Sequence, residues 1–260
     1  MAIPANIEAL IRSERLQTDQ TGMSDARVLV GEHSVLKIQP MTEESRREAD
    51  ALRFLKGRLT VPELLLCEVH EGVQYLLMSR LRGTMLCDST LMAEPGLVTK
   101  LCAQALRELW SVKDCPLHAE LDWRLRIARE HVEKGDVSPE TCEPDTFAPG
   151  GFADPPTLLS WLEQHRPPED LVFVHGDLSL PNILLMPDGS IGFLDLGRAG
   201  ISDRWQDIAI ALRSIHHNAA GYYHTGIVWP GVHAGDLLRE LGLPLDAEKE
   251  RYYRLLDELY

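Results

Sequence analysis

The stretch Leu171–Arg198, LVFVHGDLSLPNILLMPDGSIGFLDLGR, leaves this chain little freedom in how it folds. Two short apolar runs, Leu171–Val174 and Ile191–Leu194, each deliver an acidic motif: His175-Gly176-Asp177 after the first and Asp195-Leu196-Gly197 after the second. Runs of this length and composition read as strands. Asn182 stands a few positions beyond Asp177. Pro181, just before it, fixes its own φ and keeps Leu180 out of the helical region, so the loop is tight enough to fold Asn182 back beside Asp177. Pro187-Asp188-Gly189 reads as the turn of a hairpin. A fold built around this stretch places two carboxylates and one amide at neighbouring strand ends.

Those residue types suit phosphoryl transfer. The attacking hydroxyl needs a carboxylate to orient it and accept its proton, the role assigned to Asp177. Mg²⁺ bridging nucleotide phosphates prefers hard oxygen ligands, which Asn182 and Asp195 supply. Taken singly, H-G-D or D-L-G is an ordinary turn, and a buried His175 reads as a scaffold for the loop. The joint order, H-G-D-L-x-x-x-N and then D-L-G, parallels the protein-kinase pattern H-R-D-L-x-x-x-N followed by D-F-G.

The flanking residues narrow the likeness. HGDLSLPNILL, FLDLGRAGISDRWQDIA and the C-terminal YYRLLDELY, with weaker similarity from TGMSDARV at Thr21 onward, resemble the aminoglycoside phosphotransferases, most of all the aminoglycoside 3′-phosphotransferases. The resemblance implies a two-lobed, protein-kinase-like α+β fold with a small antiparallel-sheet N-terminal lobe and a mainly helical C-terminal lobe. It implies ATP and Mg²⁺ as cofactors. It also implies transfer of the γ-phosphate to an aminoglycoside hydroxyl, at the 3′ position, conferring antibiotic resistance.

Composition bounds the alternatives. The 260 residues suffice for a substantial core in one unit or two lobes. A net charge of −14 argues against non-specific nucleic-acid or anionic-membrane binding and favours polycationic ligands. Cys67, Cys87, Cys102, Cys115 and Cys142 are scattered, odd in number and without C-x-x-C spacing, which suits a reducing cytoplasm. The N-terminus has no secretory pattern, and no apolar run is long enough to span a bilayer. Nothing points to an obligate protein partner.

Residues 1–78 read as a nucleotide-binding lobe. Ile3–Arg12 has a short amphipathic helical pattern, and Ala26–Val30 and Ser34–Ile38 read as a hairpin. In the resembled family the turn before the first of these strands contacts phosphates, which maps onto Ser24. Lys37 lies between Leu36 and Ile38, and a lysine so placed is often merely on an exposed face. Its candidate partner is Glu48, on the same stripe as Leu52 and Leu55 of a helix running from Thr42 to Arg58. A carboxylate on a buried stripe requires a cation, and a strand-to-helix Lys–Glu pair holds nucleotide phosphates in kinases. Pro62–Val69 and Val73–Met78 read as further strands. The hinge is expected near 78–82, with Met78, Ser79 and Leu81 at the adenine edge. The family often has an aromatic ring two residues before the lysine; this chain has Val35.

Residues 79–260 read as the catalytic and substrate-binding lobe. Helices are expected over Leu97–Val112, Leu121–Val132, Asp203–His216 and Ala247–Leu259, with a loop over Gly135–Pro156. By resemblance, that loop's Glu143 and Asp145 face the antibiotic, and Asp207 braces the catalytic loop. Arg198 has three possible partners, a nucleotide phosphate, a substrate-site acid or a loop end, and the resemblance sets it near the substrate. Asp257, Glu258 and the carboxylate of Tyr260 oppose the dipole of the last helix, a local conflict that hints at function. The family uses this tail to bind amino groups. The rival readings are a kinase of a macrolide, choline-like or sugar substrate, and a non-catalytic nucleotide-binding regulator. A protein kinase is disfavoured because no A-P-E segment follows D-L-G.

Overall fold

The structure is a computed structural model that describes residues 3–18, 26–222 and 226–260. In chain order its elements are α1 (Ala5–Ile11), β1 (Gln17–Thr18), β2 (Arg27–Val30), β3 (Ser34–Pro40), α2 (Glu43–Leu55), β4 (Leu64–His70), β5 (Val73–Ser79), β6 (Thr84–Met85), α3 (Ser89–Met92), α4 (Leu97–Ser111), α5 (Leu121–Lys134), α6 (Pro155–Gln164), β7 (Leu171–Val174), β8 (Ile183–Leu185), β9 (Ile191–Phe193), β10 (Gly200–Asp203), α7 (Trp205–Ala220), α8 (Gly235–Leu241) and α9 (Ala247–Asp257). The chain divides into two compact units, Met1–Thr84 with Leu184–Ala199, and Met85–Ile183 with Gly200–Tyr260.

The first unit is a five-stranded antiparallel sheet in the order β1-β2-β3-β5-β4. Side chains alternate across a strand. Leu36, Tyr75 and Leu77 therefore share one face with Leu29, where Ile7 and Ile11 of α1 complete a closed apolar cluster. Lys37 and Leu76, one position along, belong to the opposite face. Helix α2 begins at Thr42, whose hydroxyl accepts from the Ser45 N–H (3.1 Å) while the Ser45 hydroxyl accepts from the Thr42 N–H (2.8 Å). This reciprocal cap satisfies two donors that would otherwise be orphaned. Its buried stripe is Ser45, Glu48, Ala49, Ala51, Leu52 and Leu55.

The segment 184–199 joins this unit, although it lies about a hundred residues further along the chain. Strands β8 and β9 form the expected hairpin, closed by Met186 N–H to Ser190 O and Gly189 N–H to Met186 O, both 2.9 Å. Gly189 sits at φ +85°, where a side chain would be strained. The Phe193 N–H then bonds to Thr60 O at 2.9 Å, tying β9 to the loop after α2.

The second unit is mainly helical. Helix α7 packs against α9, α4 against α8, and α5 against α6, and β7 pairs antiparallel with β10. Helices α3, α6 and α8 are not among those expected from the sequence. The 135–156 segment is a loop only in part: it contains a 3₁₀ turn at Pro139–Thr141 and ends in α6, whose Pro155 takes the first helical position after the Asp154 cap. Helix α7 runs to Ala220, four residues beyond the expected end, and stops at Gly221 in the left-handed region. No helix of the described residues is long and apolar enough to cross a membrane.

Candidate active site

The second unit holds Asp177 and Asn182. Strand β7 ends at Val174, and the chain turns at Gly176, whose φ of +90° explains a glycine between His175 and Asp177. Asn182 does fold back: its side-chain N–H₂ donates to the Asp177 backbone oxygen at 3.0 Å and to the Asp177 carboxylate Oδ2 at 3.1 Å. Both bonds use the nitrogen, so the Asn182 amide oxygen is left as a hard acceptor.

Helix α7 supports this loop along its length. Asp207, fully buried, accepts from the His175 N–H (2.7 Å) and the Gly176 N–H (2.8 Å). Burial lifts the Asp207 pKa, and His175 and the two N–H donors work against that rise. Gln206 donates to Gly176 O at 3.2 Å, and the Ser214 hydroxyl accepts from the Leu180 N–H at 2.9 Å. His175 is completely buried, and its Nδ1 accepts from the Asp177 N–H at 3.3 Å, as a scaffold would.

The first unit holds the lysine. Lys37 Nζ donates to Glu48 Oε2 at 3.0 Å and to Asp195 Oδ1 at 2.9 Å. Lys37 is only 9% exposed and Glu48 3%. Burial opposes the Lys37 charge, but Glu48 and then Asp195 outweigh it and hold the ammonium protonated well above the ordinary lysine pKa. Gln39, two residues on and therefore on the same strand face, donates to Glu48 Oε2 at 3.1 Å and to Gln74 Oε1 at 2.9 Å. Gln74 in turn donates to Ser45 O at 2.8 Å. Neither glutamine stands out in the sequence; the signal that would have found Gln39 is its i+2 spacing from Lys37.

The Asp195-Leu196-Gly197-Arg198 segment is moulded onto α2. Asp195 has φ +54°, an uncommon conformation for a residue with a side chain, of the kind that collects at functional sites. A Cβ on Gly197 would approach Glu44 O to 3.2 Å, so glycine permits the close packing. Arg198 Nε bonds to Glu44 Oε1 at 3.0 Å, and an Arg47 N–H donates to Ala199 O at 2.9 Å. The acid that Arg198 meets lies in the first turn of α2 and was not among the partners expected from the sequence.

The hinge residues are largely tied to their own unit. The Ser79 N–H bonds to Glu63 O, and its hydroxyl accepts from the Glu63 N–H, both at 2.8 Å. Met78 is buried opposite Val35 in the ladder, and Leu81 is half-buried. Ser24 lies outside the described residues.

The acids expected at the substrate divide into two groups. Arg213 of α7 pairs with Asp257 and stands 3.7 Å from Glu258 Oε1. Glu258 Oε2 accepts from the Glu143 N–H at 3.1 Å, and Glu143 Oε1 meets His217 Nε2 at 3.1 Å. Glu143, Asp257 and Glu258 thus form one cluster with Arg213 and His217, two residues that the sequence did not single out. The acids that oppose the α9 dipole are compensated by Arg213. Asp145 is not part of the cluster: it is exposed and lines a pocket with Arg251 and Arg254. Tyr260 anchors the tail, its hydroxyl donating to Arg124 O at 2.7 Å and its ring set edge-on to His131.

A family profile described as "Phosphotransferase enzyme family" matches residues 15–240. The chain belongs to that family. Among phosphotransferases of known name, an aminoglycoside 3′-phosphotransferase of Enterococcus faecalis is 36% identical over 275 aligned positions, covering 100% of this chain and 99% of that protein. One from Niallia circulans is 36% identical and covers 88% of this chain and 85% of its own. Among solved phosphotransferases, the aminoglycoside phosphotransferase of Streptomyces rimosus in complex with ADP and streptomycin superposes with a TM-score of 0.74 at 25% identity, covering 98% of this chain and 97% of that one. The fold is that of the protein-kinase-like phosphotransferases, as the H-G-D-L-x-x-x-N and D-L-G motifs imply.

Proposed function

We propose that this protein transfers the γ-phosphate of ATP to a hydroxyl of an aminoglycoside, at the 3′ position, and so confers resistance to the antibiotic. The observation that carries the reading is the Asp177–Asn182 loop, in a chain that matches aminoglycoside 3′-phosphotransferases along its whole length. Asp177 orients the substrate hydroxyl and takes its proton. Lys37, held by Glu48, steadies the nucleotide phosphates. Ser24 contacts phosphate, and Met78, Ser79 and Leu81 border the adenine. The donor chemistry of Asn182 and Asp195 fits Mg²⁺: one amide oxygen not used by the Asp177 contacts and one carboxylate, both hard ligands. The metal, when bound with the nucleotide, neutralises charge on the phosphoryl group. Arg198 stays a candidate substrate contact, directly after Asp195-Leu196-Gly197.

On the substrate side, Glu143, Asp257, Glu258 and Tyr260 border the ammonium groups, with Asp145 contributing from the rim. Glu258 Oε1 supports this: it is buried and makes no hydrogen bond among the described residues, its ion pair with Arg213 being too long at 3.7 Å to supply one. A buried carboxylate oxygen without a donor is costly, and a ligand ammonium supplies the missing bond. This favours a polycation over a macrolide or a neutral sugar. We place the protein in the cytoplasm, where ATP is available. The test is ATP turnover with purified protein against a panel of aminoglycosides, a macrolide and choline. Aminoglycoside-stimulated turnover is expected; stimulation by choline or a macrolide alone would sink the reading.

A further inference from the structure

The substrate-side cluster contains a residue with no assigned role. We propose that His217 is a positioning residue of the amine-binding cluster, holding Glu143 in place while neutral and cancelling its charge when protonated. The inference rests on the aminoglycoside reading above.

Glu143 is fixed from two sides. Its backbone N–H is spent on Glu258 Oε2 at 3.1 Å, and its Oε1 meets His217 Nε2 at 3.1 Å. Both partners are largely buried, His217 with 12% and Glu143 with 17% of the side chain exposed. With His217 neutral and Nε2 carrying its proton, the ring donates to Oε1, and Glu143 keeps its negative charge. The groups facing His217 include Glu143 from the 142–152 loop, Arg213 and His216 from its own helix, and the Tyr222 ring just past it. Arg213 links this set to Asp257 and Glu258 of the C-terminal segment. Three carboxylates and one guanidinium give a net charge of −2 with His217 neutral and −1 with it protonated.

Burial lowers the His217 pKa; Glu143 opposes this, while Arg213 and His216 add to it. The ring therefore takes up its proton at a lower pH than an ordinary histidine. There the imidazolium competes with a ligand ammonium for Glu143, and the aminoglycoside KM rises. The linkage also runs the other way: a bound ammonium beside Glu143 makes His217 harder to protonate.

The experiment compares wild type and His217→Gln with kanamycin A and MgATP from pH 5.5 to 8.5. Glutamine keeps a neutral N–H donor near Nε2 but does not titrate. Wild type is expected to lose affinity for kanamycin A toward acid by about threefold to fivefold more than the variant, the worth of one partly exposed charge pair. The ATP KM should match in the two proteins. A proton NMR titration of the His217 ring, assigned from the variant spectrum, is expected to shift to lower pH on adding kanamycin A and also in Glu143→Gln. Identical pH profiles in wild type and His217→Gln would overturn the proposal. So would a His217 titration indifferent to Glu143→Gln, and this arm needs no substrate. Absence of turnover with every aminoglycoside would instead bring down the substrate reading, and the kanamycin A part of the proposal with it.

Discussion

Asp177 and Asp195 are both carboxylates after a short strand, yet their surroundings assign them different work. Asp177 is gripped by the Asn182 amide, which donates to both its backbone oxygen and its carboxylate. Asp195 is held in the left-handed region with one oxygen on Lys37. Asp177→Asn removes the proton acceptor but keeps the shape of the side chain. Turnover should fall by roughly 10²–10⁴-fold while calorimetry finds nucleotide affinity little changed; near-wild-type turnover would remove Asp177 from the mechanism. Asp195→Ala removes a charged oxygen ligand, so MgATP affinity should drop together with turnover. It also strips Lys37 of one of its two carboxylates. Lys37→Ala leaves Glu48 buried without its cation and should cost about 3–5 kcal/mol of stability, measured by denaturant unfolding. A variant as stable as wild type would mean that Glu48 had found solvent or another partner.

At the scale of elements, α7 organises the catalytic loop. Asp207, Gln206 and Ser214 lie on its buried side and reach three backbone positions of the loop, His175, Gly176 and Leu180. Asp207→Ala would strand two buried N–H groups at a cost of about 3 kcal/mol or more. The melting temperature should fall, and turnover should fall with it as the loop loosens. Ser214→Ala removes a single neutral bond, worth about 1 kcal/mol, and should leave turnover nearly intact. If the two variants behaved alike, the loop would not depend on the Asp207 carboxylate. Helix α2 plays the matching part in the first unit. Its buried stripe supplies Glu48, and its first turn meets Gly197 and Arg198.

At the scale of the whole molecule, the proposed function has the net charge of −14 and the acidic cluster acting together on a polycation. Raising ionic strength should lower kcat/KM for an aminoglycoside steeply, with a weaker effect on the ATP KM. Deleting the last four residues is a poor test of the substrate site, because Leu259 is completely buried and Tyr260 bonds to Arg124 O. Such a truncation should lower the melting temperature and impair both substrates. Glu258→Gln keeps the packing and removes one charge, so the aminoglycoside KM should rise severalfold while the ATP KM and the melting temperature hold. An unchanged aminoglycoside KM would remove Glu258 from the site.

The parts legible in the sequence are those written in local order. H-G-D-L-x-x-x-N, the Pro-Asp-Gly turn and D-L-G prescribe strand, loop and hairpin through backbone preferences that act over a few residues. The Lys37–Glu48 pair was legible as well, because strand alternation and helical periodicity point the two side chains to a common face. Tertiary structure alone decided which charges meet across distant segments. Arg213 settles on Asp257 and Glu258, His217 on Glu143, and Arg198 on Glu44, pairs separated by 44 or more positions that no local period connects. Arginines and histidines on a helix look alike in sequence; packing selects among them, since each buried carboxylate needs a partner and only the folded chain determines which cation is within reach.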